Sequence, residues 1–119
     1  MNFEFNKTTP LYLQIENQIK LNIITNQYSP GDKIPSVREF ALMLKINPNT
    51  VNRALLELEE EGFIETRRTT GKYITEQLDL IESERHKYIK TMLKDFINET
   101  KKLNITKEEI IDLINRNEE

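Results

Sequence analysis

Two helix-start signals, at Ser36 and at Asn47, leave room between them for one short helix and a tight turn, and no other feature constrains the fold as much. Ser36-Val-Arg-Glu39 is a capping box, in which the serine oxygen accepts from the amide near Glu39 and the glutamate reaches back. Val37, Phe40, Ala41 and Leu44 form an apolar stripe that stops around Lys45. Asn47 is a good N-cap, and Pro48 suits the first helical position, where no amide donor is needed. Val51, Ala54, Leu55 and Leu58 follow at i, i+3, i+4 and i+7, so one face turns to a core. Gly62 ends this helix as the residue past its C-cap. Two short helices joined in this way make a helix-turn-helix.

The flanks complete a familiar unit. Leu11, Ile15, Ile19 and Ile23 recur every four residues and predict a helix over 10–25. Tyr28-Ser-Pro-Gly31 reads as a turn. Residues 63–68 and 72–75 read as two short strands joined by Thr69-Thr70-Gly71. Two strands alone are marginal, so they must pack on the helices. Residues 77–103 hold no Gly or Pro and keep a helical period in Leu78, Ile81, Tyr88, Met92 and Phe96, with Ile89, Leu93 and Ile97 beside them. At ~1.5 Å per residue that helix could reach ~40 Å. Thr106-Lys-Glu-Glu109 is a second capping box and opens a last short helix. The expected architecture is mainly α with a small β-hairpin: a winged helix-turn-helix over 1–75, then a two-helix dimerisation region over 76–119.

A formal net charge of −3 counts at first against nucleic acid, but its distribution matters more than its sum. Residues 1–75 carry nine basic and nine acidic side chains, and residues 76–119 carry eight and eleven, so the tail supplies the whole negative excess. Lys33, Arg38, Lys45 and Arg53 outnumber Glu39 within 33–53, and Arg67, Arg68 and Lys72 form a second basic cluster. Such segregation suits a module with one basic face. The chain has no cysteine, so disulfides and thiol chemistry are excluded. His86 stands alone, so no metal site is expected, and no residues combine into a catalytic arrangement. No cofactor or membrane span is expected, and the cytoplasm is the default compartment.

The residues suit DNA. A recognition helix presents its N-terminal side chains to base edges, and here those are Asn47, Asn49, Thr50, Asn52 and Arg53, while Val51 and Ala54 turn inward. Asn can pair with adenine edges and Arg with guanine. Arg67, Arg68 and Lys72 around Gly71 would form an arm for the backbone or minor groove. Ordinary strand-surface charge is an equally open reading of Arg67 and Arg68. The tail stripe of Leu78, Ile81, Tyr88, Ile89, Met92, Leu93, Phe96 and Ile97 is long for a small domain to cover, so it is expected to pair two chains.

Pro10-Leu-Tyr-Leu-Gln-Ile15, Pro30-Gly-Asp-Lys-Ile-Pro-Ser-Val-Arg-Glu39, Asn47-Pro-Asn-Thr-Val-Asn-Arg-Ala54 and Leu58-Glu-Glu-Glu-Gly62 stand in the order of the GntR family of bacterial repressors, and the chain resembles it over roughly residues 9–75. The short helical tail resembles the YtrA-type branch. The resemblance implies that Ser36 and Thr50 hold phosphates and that Arg38 reaches a base edge. It also places Asn47, Asn49, Asn52 and Arg53 in the recognition helix and Gly71 in the wing. Two departures stand out: Asn26 where the family usually has Gly, and Thr69-Thr70 where the wing usually reads Gly-Lys. The implied function is a sequence-specific DNA-binding regulator, read as a repressor, that binds an inverted-repeat operator as a homodimer and is no enzyme. The rival reading is a winged helix that serves as a protein-interaction module, and the acidic stretch of Glu57, Glu59, Glu60, Glu61 and Glu65 is its best support.

Overall fold

The computed structural model describes residues 3–116 and shows five helices with a three-stranded antiparallel sheet. In chain order the elements are α1 (Leu11–Ile24), β1 (Lys33–Ile34), α2 (Val37–Leu44), α3 (Pro48–Glu60), β2 (Ile64–Arg67), β3 (Gly71–Ile74), α4 (Leu78–Lys102) and α5 (Lys107–Arg116). The chain forms two compact units, one ending at Glu84 and the other beginning at Arg85.

In the first unit, local chemistry sets the helix ends. The Ser36 capping box forms in both directions, with Glu39 N–H donating to Ser36 Oγ at 3.1 Å and Ser36 N–H donating to Glu39 Oε1 at 3.0 Å. Asn47 caps α3 by accepting the Asn49 N–H at 2.8 Å, and Pro48 opens the helix. At the far end of α3 the Phe63 N–H bonds the Leu58 carbonyl at 2.9 Å and the Gly62 N–H bonds that of Glu59 at 3.0 Å. That is a Schellman closure, which needs the left-handed φ of 90° that Gly62 adopts. Asn26 has φ 63° in the turn after α1, so the family's usual glycine is replaced by the side chain that best tolerates this region.

Ile15 and Ile19 of α1, Phe40 of α2, and Val51, Leu55 and Leu58 of α3 meet Ile64 and Ile74 of the sheet in one fully buried core. The sheet order is β1-β3-β2. The hairpin pairs Ile64 with Ile74 and Arg67 with Gly71, and β1 adds Lys33 opposite Tyr73. The sequence predicts only the hairpin. β1 is two residues long, and so short a run carries no alternation to read.

Ile81 departs from its expected place in the pairing stripe. It is 7% exposed and packs in the core of the first unit, with Leu80 beside that core and against Gly62. The first unit therefore extends past residue 75 and takes in 78–84. In the second unit, the Thr106–Glu109 capping box forms at the start of α5, with Glu109 N–H donating to Thr106 Oγ1 at 3.1 Å. Between α4 and α5 lies an apolar cleft of about 470 Å³ whose walls include Leu93, Phe96, Ile97, Ile110 and Ile114.

Candidate nucleic-acid interface

Two helix N-termini carry most of the candidate contacts. Unpaired amides and the helix dipole make such ends favourable for phosphate. At the start of α2, Ser36 Oγ is engaged as acceptor in its cap, which leaves the hydroxyl proton free to donate to a phosphate oxygen. Arg38 stands exposed in the first turn, with no ion pair among the described residues. The backbone Ser36 N–H bond, then the Ser36 hydroxyl, holds Glu39 below the usual carboxylate range, so the cap keeps its negative end.

At the start of α3, Asn47 uses its side-chain oxygen for the cap and keeps its amide N–H groups available. Asn49 and Asn52 are exposed, Thr50 is half-buried, and Val51 and Ala54 face the core. Arg53 is different. Its guanidinium lies 3.6 Å over the Tyr12 ring and its Nε donates to Glu57 Oε2 at 3.2 Å. Tyr12 holds it toward α1, a partner that sequence spacing does not join to it, and Glu57 holds it along α3 from the i+4 position where an ion pair is common.

The wing holds a changed set of cations. Arg68 is exposed at the tip, and Arg67 is half-exposed, stacked at 4.0 Å on Tyr73 and 3.9 Å from Glu65. Lys72, expected as a wing contact, is tied within the fold. Its side chain is 16% exposed, donates to Thr66 Oγ1 at 2.9 Å and lies 3.5 Å from Glu59. An acidic residue at the end of α3 thus takes up the lysine's charge. Lys33 of β1, which the sequence groups with the basic residues of 33–53 and not with the wing, lies against the wing. A Cβ at Gly71 would come within 3.1 Å of Lys33 Cε and 3.8 Å of its Nζ, and the φ of 122° at Gly71 is itself one that other residues rarely adopt.

In the tail, Leu78, Tyr88, Ile89, Met92, Leu93, Phe96 and Ile97 are all exposed on this chain. Among the described residues no group of three or more His, Cys, Asp or Glu is placed to hold a metal ion, and no helix is long and apolar enough to cross a membrane.

Residues 11–74 match the family described as bacterial regulatory proteins, gntR family. The chain is similar to an uncharacterized HTH-type transcriptional regulator, YhcF, of Bacillus subtilis (strain 168), at 39% identity over 94% of this chain and 93% of the relative. It is also similar to the HTH-type transcriptional repressor YtrA of the same organism, at 47% identity over 76% of this chain and 70% of that protein. A solved structure, a GntR family transcriptional regulator from Listeria monocytogenes, superposes with a TM-score of 0.84 at 44% identity, covering 96% of this chain and all of that one.

Proposed function

This chain belongs to the GntR family of bacterial regulatory proteins and is a helix-turn-helix transcription regulator of the YtrA-like kind, and on that premise we propose that it works as a homodimeric repressor on an inverted-repeat operator. The observation that carries the reading is the joint exposure of Arg38, Asn49 and Asn52 at two capped helix N-termini. Arg38 reads a base edge, Asn49, Asn52 and Arg53 read others, and Ser36, Asn47 and Thr50 position the backbone. Residues 1–75 are the DNA-binding part and 76–119 the pairing part, with the structural core of the former reaching to residue 84. The α4 stripe pairs two copies, so that two α3 helices enter successive major grooves about 34–36 Å apart or a multiple of that. The protein acts in the cytoplasm, where its DNA lies.

Selection of duplexes from a random pool tests this. A palindromic consensus is the expected outcome, and a pool with no consensus would favour the protein-interaction reading instead. Against the selected duplex, Arg38→Ala is expected to cost about 1–3 kcal/mol and to relax one position per half-site. Fold and dimer should survive, because the side chain is exposed. Unchanged affinity for both selected and random DNA would remove Arg38 from the interface.

The wing gives a separable result. If Arg67 and Arg68 touch phosphates, replacing each by Ala should weaken all sequences alike and flatten the log–log salt dependence by about one unit per contact per protomer. Lys72→Ala should leave that slope in place, since the lysine is tied to Glu59 and Thr66. A slope lost with Lys72 and kept without the arginines would reverse the assignment.

A further inference from the structure

α1 puts a carboxyl group among apolar neighbours. Glu16 lies between Ile15 and Ile19 on α1, which packs on α3, and only 5% of it is exposed. Its Oε2 has no hydrogen-bond partner among the described residues. The charged groups around it are Glu57 of α3, Glu61 just past the end of α3 and Lys20 of its own helix, and Lys20 is itself paired with Glu61 at 2.9 Å. Glu57 accepts from Arg53 at 3.2 Å, and Arg53 rests on Tyr12. Tyr12 meets Arg53 and Lys20 meets Glu61, one helical turn to either side of Glu16 and Glu57, so the register of α1 against α3 sets the two carboxyl groups opposite each other, next to a residue of the recognition helix.

We propose that Glu16 is a positioning residue for DNA binding: acting through Glu57, it decides how firmly Arg53 is held against Tyr12 and so how freely Arg53 turns to DNA. The inference rests on the reading of α3 as the recognition helix.

Two carboxyl groups in contact cannot both ionise cheaply. Burial, then the hydrogen bond to Glu57, then the charges of Glu57 and Glu61 push Glu16 up to about 7, against the opposing charge of Lys20. Below that pH the Glu16 carboxyl keeps its proton and donates it to Glu57, whose single negative charge is divided between Glu16 and Arg53. That bond, followed by the one from Arg53, holds Glu57 below the usual carboxylate range. Above that pH the proton leaves. Two carboxylates, with Glu61 nearby, then attract the Arg53 guanidinium and repel an approaching phosphate. Protonation of Glu16 and binding of DNA thus favour each other, as linkage requires.

The test titrates the full chain, at fixed ionic strength, with a duplex recovered from a random pool and with its scrambled counterpart. Affinity for the selected duplex should fall by roughly tenfold between about pH 6 and about pH 8. Glu16→Gln should keep the acid-side affinity and abolish the fall. Carbon-13 NMR of the free wild-type protein supplies a readout that no variant is needed for. One glutamate carboxyl should titrate near neutrality, and the Arg53 Nε–H resonance should move with the same midpoint. A flat wild-type profile, a slope that persists in Glu16→Gln, or an Arg53 resonance that stays fixed while Glu16 titrates would each overturn the role of Glu16. Absence of any preferred duplex at any pH would instead overturn the reading of α3 as a recognition helix.

Discussion

The variant Met92→Glu with Phe96→Glu, in the full chain, is expected to sediment as a monomer and to bind its operator about 10²–10⁴-fold more weakly than the parent. Met92 and Phe96 are 59% and 50% exposed on this chain, and Tyr88, Ile89, Leu93 and Ile97 accompany them on α4. Burying each such side chain against a second copy is worth roughly 1.5–3 kcal/mol. Six together can exceed an association cost of about 4–15 kcal/mol. Two glutamates inside that contact would place like charges in a dry interface and cancel the gain. In the proposed homodimer DNA affinity follows, because a second recognition helix tethered to the first would bind as an intramolecular event. Truncation gives the same expectation by another route, but the cut belongs after Glu84. A cut after Thr75 would also remove Leu80 and Ile81 from the core of the first unit and confuse unfolding with loss of pairing. Sedimentation and DNA titration decide the matter: a double variant that remains dimeric, or binds the full operator as tightly as before, ends the role given to the stripe.

The contrast between Ile81 and Met92 marks where sequence reading stops. Both belong to one helical period, and the period correctly places both on an apolar face. Period says which side chains share a face but not what that face meets. The first turns of α4 meet the body of their own unit, and the later ones stand exposed. Three helix starts were legible because a cap is a contact over two or three residues: Ser36 with Glu39, Asn47 with Asn49, and Thr106 with Glu109 all form. β1 was not legible, because Lys33 and Ile34 form a strand only by pairing with Tyr73 and Lys72 far along the chain. The same holds within the site. Lys72 looks like a free wing cation until the fold brings Glu59 to it, and Arg53 looks like a free reader until α1 delivers Tyr12. Glu16 carried one local signal. It is a charged residue beside Ile15 and one turn before Ile19, on the edge of the stripe that α1 buries.

Glu16→Gln is expected to stabilise the fold on the alkaline side by an amount that grows with pH. The folded protein holds Glu16 near 7 against an ordinary 4.5. A raised carboxyl binds its proton more tightly in the native state than in the unfolded chain, so its contribution is fully present below about 4.5 and is lost as pH climbs toward 7. Glu57 moves the opposite way, and its contribution disappears only on the acid side of the ordinary value, so the interval from 4.5 to 7 belongs to Glu16. At about 1.4 kcal/mol per pH unit, the loss across that interval is on the order of 3 kcal/mol. A glutamine keeps the shape, can donate its amide to Glu57, and has no proton to lose. Urea unfolding of both proteins at one protomer concentration, from about pH 4.5 to about pH 8, measures the difference directly. The wild-type free energy should drop across the range relative to the variant, with most of the change complete near neutrality. A gap between the two proteins that stays constant with pH would mean that Glu16 is already ionised in the folded state. The contact with Glu57 would then be one between two charges rather than a shared proton.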